Sequence, residues 1–154
     1  MTDRTVNRQF RFVGLKGKGA FAEFGTIVPD VAREVLVRSA ELGSSTGHEI
    51  AVFQPKLSDD HIQGEFIAGL MVDKPVHNVP AGMVYMEIEG EFATASGNIE
   101  DLNNLHADLF DWTAGNGYQI DRNELIIEVY IPKDFGEDVE IYLPLLTRET
   151  FPNR

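Results

Sequence analysis

Glu128 interrupts an otherwise apolar run from Leu125 to Ile131, and a carboxylate in that setting has two physical readings. In an antiparallel strand with one wet face, alternation with Ile127 and Val129 is ordinary and the side chain is solvated. Periodicity alone favours that reading. If the strand is covered instead, the carboxylate must be paired, hydrogen-bonded or protonated, because ionising it in a dry site costs several kcal/mol. A carboxylate so held suits either attraction of a cationic ligand or general acid–base work in a hydrolysis. Alternation sends Tyr130 to the same side as Glu128, and a neighbouring strand can offer Tyr142. Aromatic faces accept planar apolar molecules and stabilise cations by roughly 0.5 to 2 kcal/mol per favourable contact. Trp112 and Phe53 are further wall candidates, although large aromatics taken singly usually serve packing. Tyr85 and Tyr118 rank below them.

Other chemistries find little support. The sequence has no cysteine, which removes thiolate zinc sites, thiol nucleophiles and disulfides together. His48, His61, His77 and His106 show neither HExxH nor paired spacing, so no metal site is expected. His106 lies beside a helical stripe, and a lone helix histidine is a weak basis for haem; no cofactor is expected. Gly14, Gly17 and Gly19 have the wrong spacing for GxGxxG, and Ser44 and Ser45 sit in a polar connector without a GxSxG setting.

These side chains must be positioned by a chain of 154 residues, 43% of them hydrophobic, with 13 Lys and Arg against 25 Asp and Glu and a net charge of −12. That length and apolar content allow one folded domain with a real core, expected over 1–154. The charge repels a phosphate backbone and favours cations at long range, so direct nucleic-acid binding is not expected. A negative surface also simply confers solubility. No apolar run reaches the length of about 20 residues a bilayer span needs, and the first eleven residues do not resemble a signal segment. No membrane partner and a cytoplasmic location are expected.

The element signals come in an order that repeats. Gln9 to Glu23 reads as a strand broken by glycines. A helix follows, with Pro29 in its first turn, Val31, Val35, Ser39 and Leu42 along one side and Gly43 as its cap. Two strands come next, His48 to Gln54 and Gln63 to Val72, and then a connector from Asp73 to Ala81. Met83 to Ala93 reads as another strand. Asn98 and Asp101 resemble a capping box, and Leu102, Leu105, Leu109 and Trp112 form the stripe of a second helix ended by Gly115-Asn116-Gly117. Strands Glu124 to Ile131 and Asp138 to Leu146 flank a hairpin loop. The fold expected is α+β: duplicated βαββ modules, 9–72 and 79–146, forming an antiparallel sheet with two main helices flanking a ligand groove. Gly19-Ala20-Phe21-Ala22 against Gly90-Glu91-Phe92-Ala93, Gly43 against Gly115, and Gln54-Pro55-Lys56 against Ile131-Pro132-Lys133 support the repeat.

Val79-Pro80-Ala81-Gly82, Trp112 with Gly117-Tyr118, Ile127-Glu128-Val129-Tyr130 and Glu140-Ile141-Tyr142-Leu143-Pro144-Leu145 occur in the order seen in the GyrI-like family, which the second half resembles. That family includes effector-binding domains of multidrug-sensing transcription regulators. The resemblance implies a groove between the helices for amphipathic, often aromatic and cationic, molecules, with the glutamate of the motif, here Glu128, in the pocket. It reverses the preference for a solvated Glu128, provided the strand register is right. About ten residues precede the first predicted strand, too few for a helix-turn-helix, so a stand-alone form binding a hydrophobic or cationic small molecule is expected. Two alternatives follow from the same family: hydrolysis of electrophilic cyclopropane-type compounds with Glu128 directing water, and a gyrase-inhibitor-like role with gyrase or a regulator as protein partner.

Overall fold

The helical stripe Phe24, Val28, Ala32 and Val35 recurs every three or four residues and buries its last three members, so the first helix forms around that face. In a computed structural model describing residues 4–43 and 46–146, this helix, α1, spans Phe24–Val37, between strand β1 (Thr5–Ala20) and strand β2 (Thr46–Phe53). Strand β3 (Gln63–Val72) follows, then β4 (Val84–Asn98), helix α2 (Leu102–Gly115), β5 (Ile126–Pro132) and β6 (Glu137–Pro144). Ser44 and Ser45 lie outside the described residues.

Several boundaries differ from the sequence expectation. α1 begins five residues before Pro29, which therefore sits inside the helix instead of in its first turn. The amide that Pro29 lacks would have bonded the carbonyl of Gly25, and because Gly25 is exposed that carbonyl is left to solvent. Gly43 does adopt a left-handed φ of +63°, but it caps a 3-10 turn, Ser39–Leu42, that follows α1. β1 passes unbroken through Gly14, Gly17 and Gly19. β4 continues to Asn98, whose side chain accepts a hydrogen bond from the Glu100 amide at 2.8 Å and starts a 3-10 turn, Ile99–Asp101, before α2. Gly90 therefore sits in the middle of β4 whereas Gly19 ends β1, so those two short motifs do not occupy like places.

All strand pairs are antiparallel, and the sheet closes into a six-stranded barrel in the order β1-β3-β2-β5-β6-β4, with β4 pairing back onto β1. The sequence called for an antiparallel sheet without specifying closure; closure removes both edges. Phe10, Phe12, Ile50, Val52, Ile67, Phe92, Ile127, Val129 and Tyr142, drawn from all six strands, pack together in the barrel interior. The outer face is also buried where helices cover it. α1 packs on β3, β1 and β2, and α2 packs on β4 and β6. This leaves the β2–β5 junction as a seam between the two helices. Among the described residues no helix is long and apolar enough to cross a membrane.

Closure requires β1 and β3 to approach closely. Gly14 pairs with Gly69, and a Cβ on Gly69 would lie 2.0 Å from the Val13 carbonyl oxygen. Backbone cannot step aside as a flexible side chain can, so Gly69→Ala is expected to cost about 1–3 kcal/mol through overpacking. At Gly25 in α1 an added Cβ meets nothing within 4 Å, and Gly25→Ala is expected to add about 0.4–1 kcal/mol. Urea unfolding of the two variants checks both signs; equal midpoints would refute this account of the crossing.

Candidate functional site

β5 pairs with β2 on one side and β6 on the other, and alternation along it separates two environments. Ile127 and Val129 face the barrel interior, whereas Ile126, Glu128 and Tyr130 face outward beneath the helices. Glu128 is thereby covered and retains 7% of its exposure. Its partner across the strand pair is Ala51, which is itself fully buried against Val28 and Ala32 of α1.

The carboxylate is held at both oxygens. The Tyr130 hydroxyl donates to Oε1 at 2.5 Å, and His106 Nε2, reaching in from α2, lies 2.7 Å from Oε2. Among the described residues no lysine or arginine pairs with Glu128. Above this group the aromatic rings join the two helices: Phe53 on β2 lies 6.0 Å from Phe24 of α1 and 6.4 Å from His106 of α2. Burial, reinforced by the negative charge of Glu128 and more distantly of Glu137 and Glu49, raises the Tyr130 phenol well above its ordinary range. Burial and neighbouring Glu49 likewise raise the Glu137 carboxyl. The outer face around Tyr130 thus gathers the carboxylates of Glu128, Glu49 and Glu137, with the His106 imidazole in contact with the first of them.

Of the residues singled out in the sequence, Glu128, Tyr130 and Phe53 come together at this seam. Tyr142 does not, because it pairs with Ile127 and shares that residue's inward face. There it packs edge-on against Phe10 and Phe92, accepts a hydrogen bond from Arg8 and donates one to Glu140. Trp112 stacks on Tyr118 at 5.7 Å, with the Arg4 guanidinium over its ring, in the layer between α2 and the β6 side of the barrel. His106, set aside as a lone helix histidine, proves to be a direct partner of Glu128. Its place four residues after Leu102 and three before Leu109 puts it on the buried side of α2, a signal present in the sequence. Among the described residues no cluster of His, Asp and Glu has the makings of a metal site.

Two cavities lie elsewhere. One of about 420 Å³ opens at the barrel mouth beside Arg8, His48, Met71, Ile131 and Glu140. The other, about 350 Å³, lies along the end of α2 beside Phe110, Thr113, Tyr118 and Arg122. Glu128 lines neither.

Glu128, its two partners and the rings above them form one polar cluster in an otherwise apolar layer. The chain matches the family model of the GyrI-like small molecule binding domain over residues 6–146, and it belongs to that family. The match includes the first half, which motifs alone had reached only weakly. No curated protein matches the chain. Solved structures share the fold at low identity. SAV2435 bound to tetraphenylphosphonium aligns with a TM-score of 0.70 and 11% identity over 99% of each chain. The C-terminal domain of EcmrR aligns at 0.62 and 15% identity over 96% of this chain and 99% of that one. A hydrolase encoded by lin2189 from Listeria innocua aligns at 0.53 and 12% identity, over 92% and 90% respectively.

The tyrosines offer a direct check of the geometry. Burial, then its bond to Glu140, pushes Tyr142 up to about 12, and Tyr130 is also raised. Because the folded values exceed the unfolded value of about 10, their contribution to stability is complete below pH 10 and is lost as pH rises through the folded values. In a spectrophotometric titration of the native protein Tyr142 is expected to stay largely un-ionised past pH 11 and Tyr130 to ionise only well above the ordinary phenol range, and Tyr130→Phe removes one of the two late phenols. Ionisation of all four tyrosines together near pH 10 in folded protein would refute the burial of this pair.

Proposed function

We propose that the protein binds hydrophobic monocations at the seam between α1 and α2, with Glu128 as the anion and Phe53, Tyr130 and Phe24 as the aromatic surround. The observation that carries this reading is the burial of Glu128, a carboxylate held by a hydroxyl and an imidazole instead of by a fixed cation. Such a carboxylate keeps its attraction for an incoming positive charge, and the low polarity around it strengthens that attraction. Glu49 and Glu137 add to the negative field, as their effect on Tyr130 indicates. Tetraphenylphosphonium, the ligand of SAV2435, is a molecule of this chemical class: large, aromatic and permanently charged.

The groove in this proposal is framed by two related βαββ modules, 9–72 and 79–146, of one domain. Supporting it, α1 and α2 are both 14 residues long and each follows a three-residue 3-10 turn. A Cβ on Gly19 would strike Ile27, and one on Gly97 would strike Leu105, so each helix seats an aliphatic residue over a glycine at the end of the preceding strand. The modules differ where it matters chemically: eight residues beyond the glycine-to-helix contact strand end, α1 carries Val28 where α2 carries His106 in the same helical position. The polar equipment therefore belongs to the second module and the apolar wall to the first. Tyr142 and Trp112 serve packing in this reading.

Isothermal titration with tetraphenylphosphonium, and with triphenylphosphine oxide as a neutral aromatic counterpart, tests the proposal. Saturable binding of the cation is expected, weakened at least about tenfold by Glu128→Gln, with the neutral compound affected little. Phe53→Ala is expected to weaken both by removing wall area. Absence of saturable binding, or equal affinity in Glu128→Gln protein with an unchanged melting temperature, would overturn the role of Glu128.

A further inference from the structure

We infer that His106 is the resident counter-cation of Glu128, and that a lipophilic monocation takes over that charge on binding and drives the imidazole proton out to solvent while the ring stays in place. The inference rests on the reading of Glu128 as the ligand's anion, and it assigns to His106 the selection of ligands whose charge is permanent.

The geometry makes the imidazole the nearest group able to neutralise the carboxylate. Nε2 lies 2.7 Å from Oε2, within the range of a charge-assisted hydrogen bond. The carboxylate is almost wholly covered, whereas His106 keeps about a fifth of its side-chain exposure, leaving it a route by which a proton can reach water. The titratable groups around it are Glu128 and Tyr130 from β5, with Glu49 of β2 and Glu137 of β6 acting on the same hydroxyl. From β2 it meets the ring of Phe53, which leans on Phe24 of α1. On α2 itself, the residues one turn away are Leu102, Asn103, Leu109 and Phe110, none of them charged. Every ionisable group gathered there is therefore acidic except His106.

A phosphonium or quaternary ammonium entering the seam brings a second positive charge to one carboxylate. The ligand cannot discard its charge; the imidazole can. Neutral His106 is still able to donate from Nε2 to Glu128, so the carboxylate keeps both hydrogen bonds while its charge is answered by the ligand. Binding and proton loss are then linked: affinity falls as acid protonates the competing imidazole and rises to a plateau once it is neutral. A cation that itself must shed a proton to cross the apolar surround gains less from this exchange than a permanent one does.

Titrations with tetraphenylphosphonium between pH 5.5 and 8.5 test the inference, run in buffers of differing ionisation enthalpy so that protons released are counted. For the unaltered protein, affinity is expected to rise by about tenfold per pH unit on the acid limb and then level off, with close to one proton released there. His106→Gln keeps a donor beside Glu128 without a titrating charge. That variant is expected to bind with little pH dependence, to release no proton, and to bind more tightly than the unaltered protein at pH 5.5. His106→Phe, which leaves no donor, is expected to share the loss of proton release even if its affinity changes. If binding depends on Glu128 but is independent of pH, or if His106→Gln retains the same slope and proton count, the exchange role of His106 is overturned while the ligand site stands. If no saturable binding occurs, or Glu128→Gln binds equally well, the ligand site itself falls and the inference with it.

Discussion

Burying Glu128 imposes a demand that much of the architecture answers. A carboxylate removed from water needs donors placed at hydrogen-bond distance, since leaving it unpartnered costs several kcal/mol. One donor, Tyr130, comes from the same strand two residues on and follows automatically from strand alternation. The other, His106, comes from α2, and its position depends on where that helix starts and how it sits over β4 and β6. The Asn98 cap, the 3-10 turn it opens and the close seat of Leu105 on Gly97 therefore bear on the site from a distance. Shift that helix and the second donor is lost.

The barrel supplies the other half of the constraint. Because its interior is filled by Phe10, Phe12, Phe92, Tyr142 and aliphatic residues of β2, β3 and β5, β5 is fixed by packing on its inner side. Its outer side is then free to carry polar chemistry without endangering the core. Even the inward Tyr142 has its hydroxyl satisfied, by Arg8 and Glu140 near the barrel mouth. The Arg8 guanidinium also lies 4.6 Å and 5.1 Å from the centroids of Phe10 and Tyr142, so a cation already occupies that end of the barrel. This separates a mouth where basic and acidic groups are mutually paired from a seam where acidic groups prevail.

Local signals in the sequence carried the elements far better than the partnerships. β3 was legible to the residue, because the apolar run Phe66 to Val72 follows a turn-like segment, and so was the end of α2 at Gly115. Closure was not legible, since it rests on β1–β4 and β2–β5 pairings between segments some eighty residues apart. The glycines of β1 looked like breaks, but they mark close approaches within one continuous strand. Tyr142 shows the limit most plainly. Alternation groups Tyr130 with Glu128 within one strand, yet whether the tyrosine of β6 joins them depends on a register that sets Tyr142 against Ile127 and Val139 against Tyr130. His106 was within reach, for its spacing to Leu102 and Leu109 placed it on the covered face; what could not be read was that Glu128 waited beneath it.

The overall charge and the seam act over different ranges, and the difference decides which of them can confer selectivity. A net charge of −12 draws cations of every kind toward the surface, but beyond about 8 Å at physiological ionic strength that attraction is largely screened. Inside the seam the field of Glu128 acts in a covered space, where the same charge is worth several times more than in water. Small hydrated cations gain little there, because giving up their water costs more than one partly satisfied carboxylate returns. A cation whose charge is already wrapped in apolar groups has little hydration to lose and, in the binding mode proposed, gains contact with Phe24, Phe53 and Tyr130 as it enters. Under the proposed binding mode, surface charge thus raises the rate of encounter, whereas the choice of ligand falls to one covered carboxylate and the rings around it.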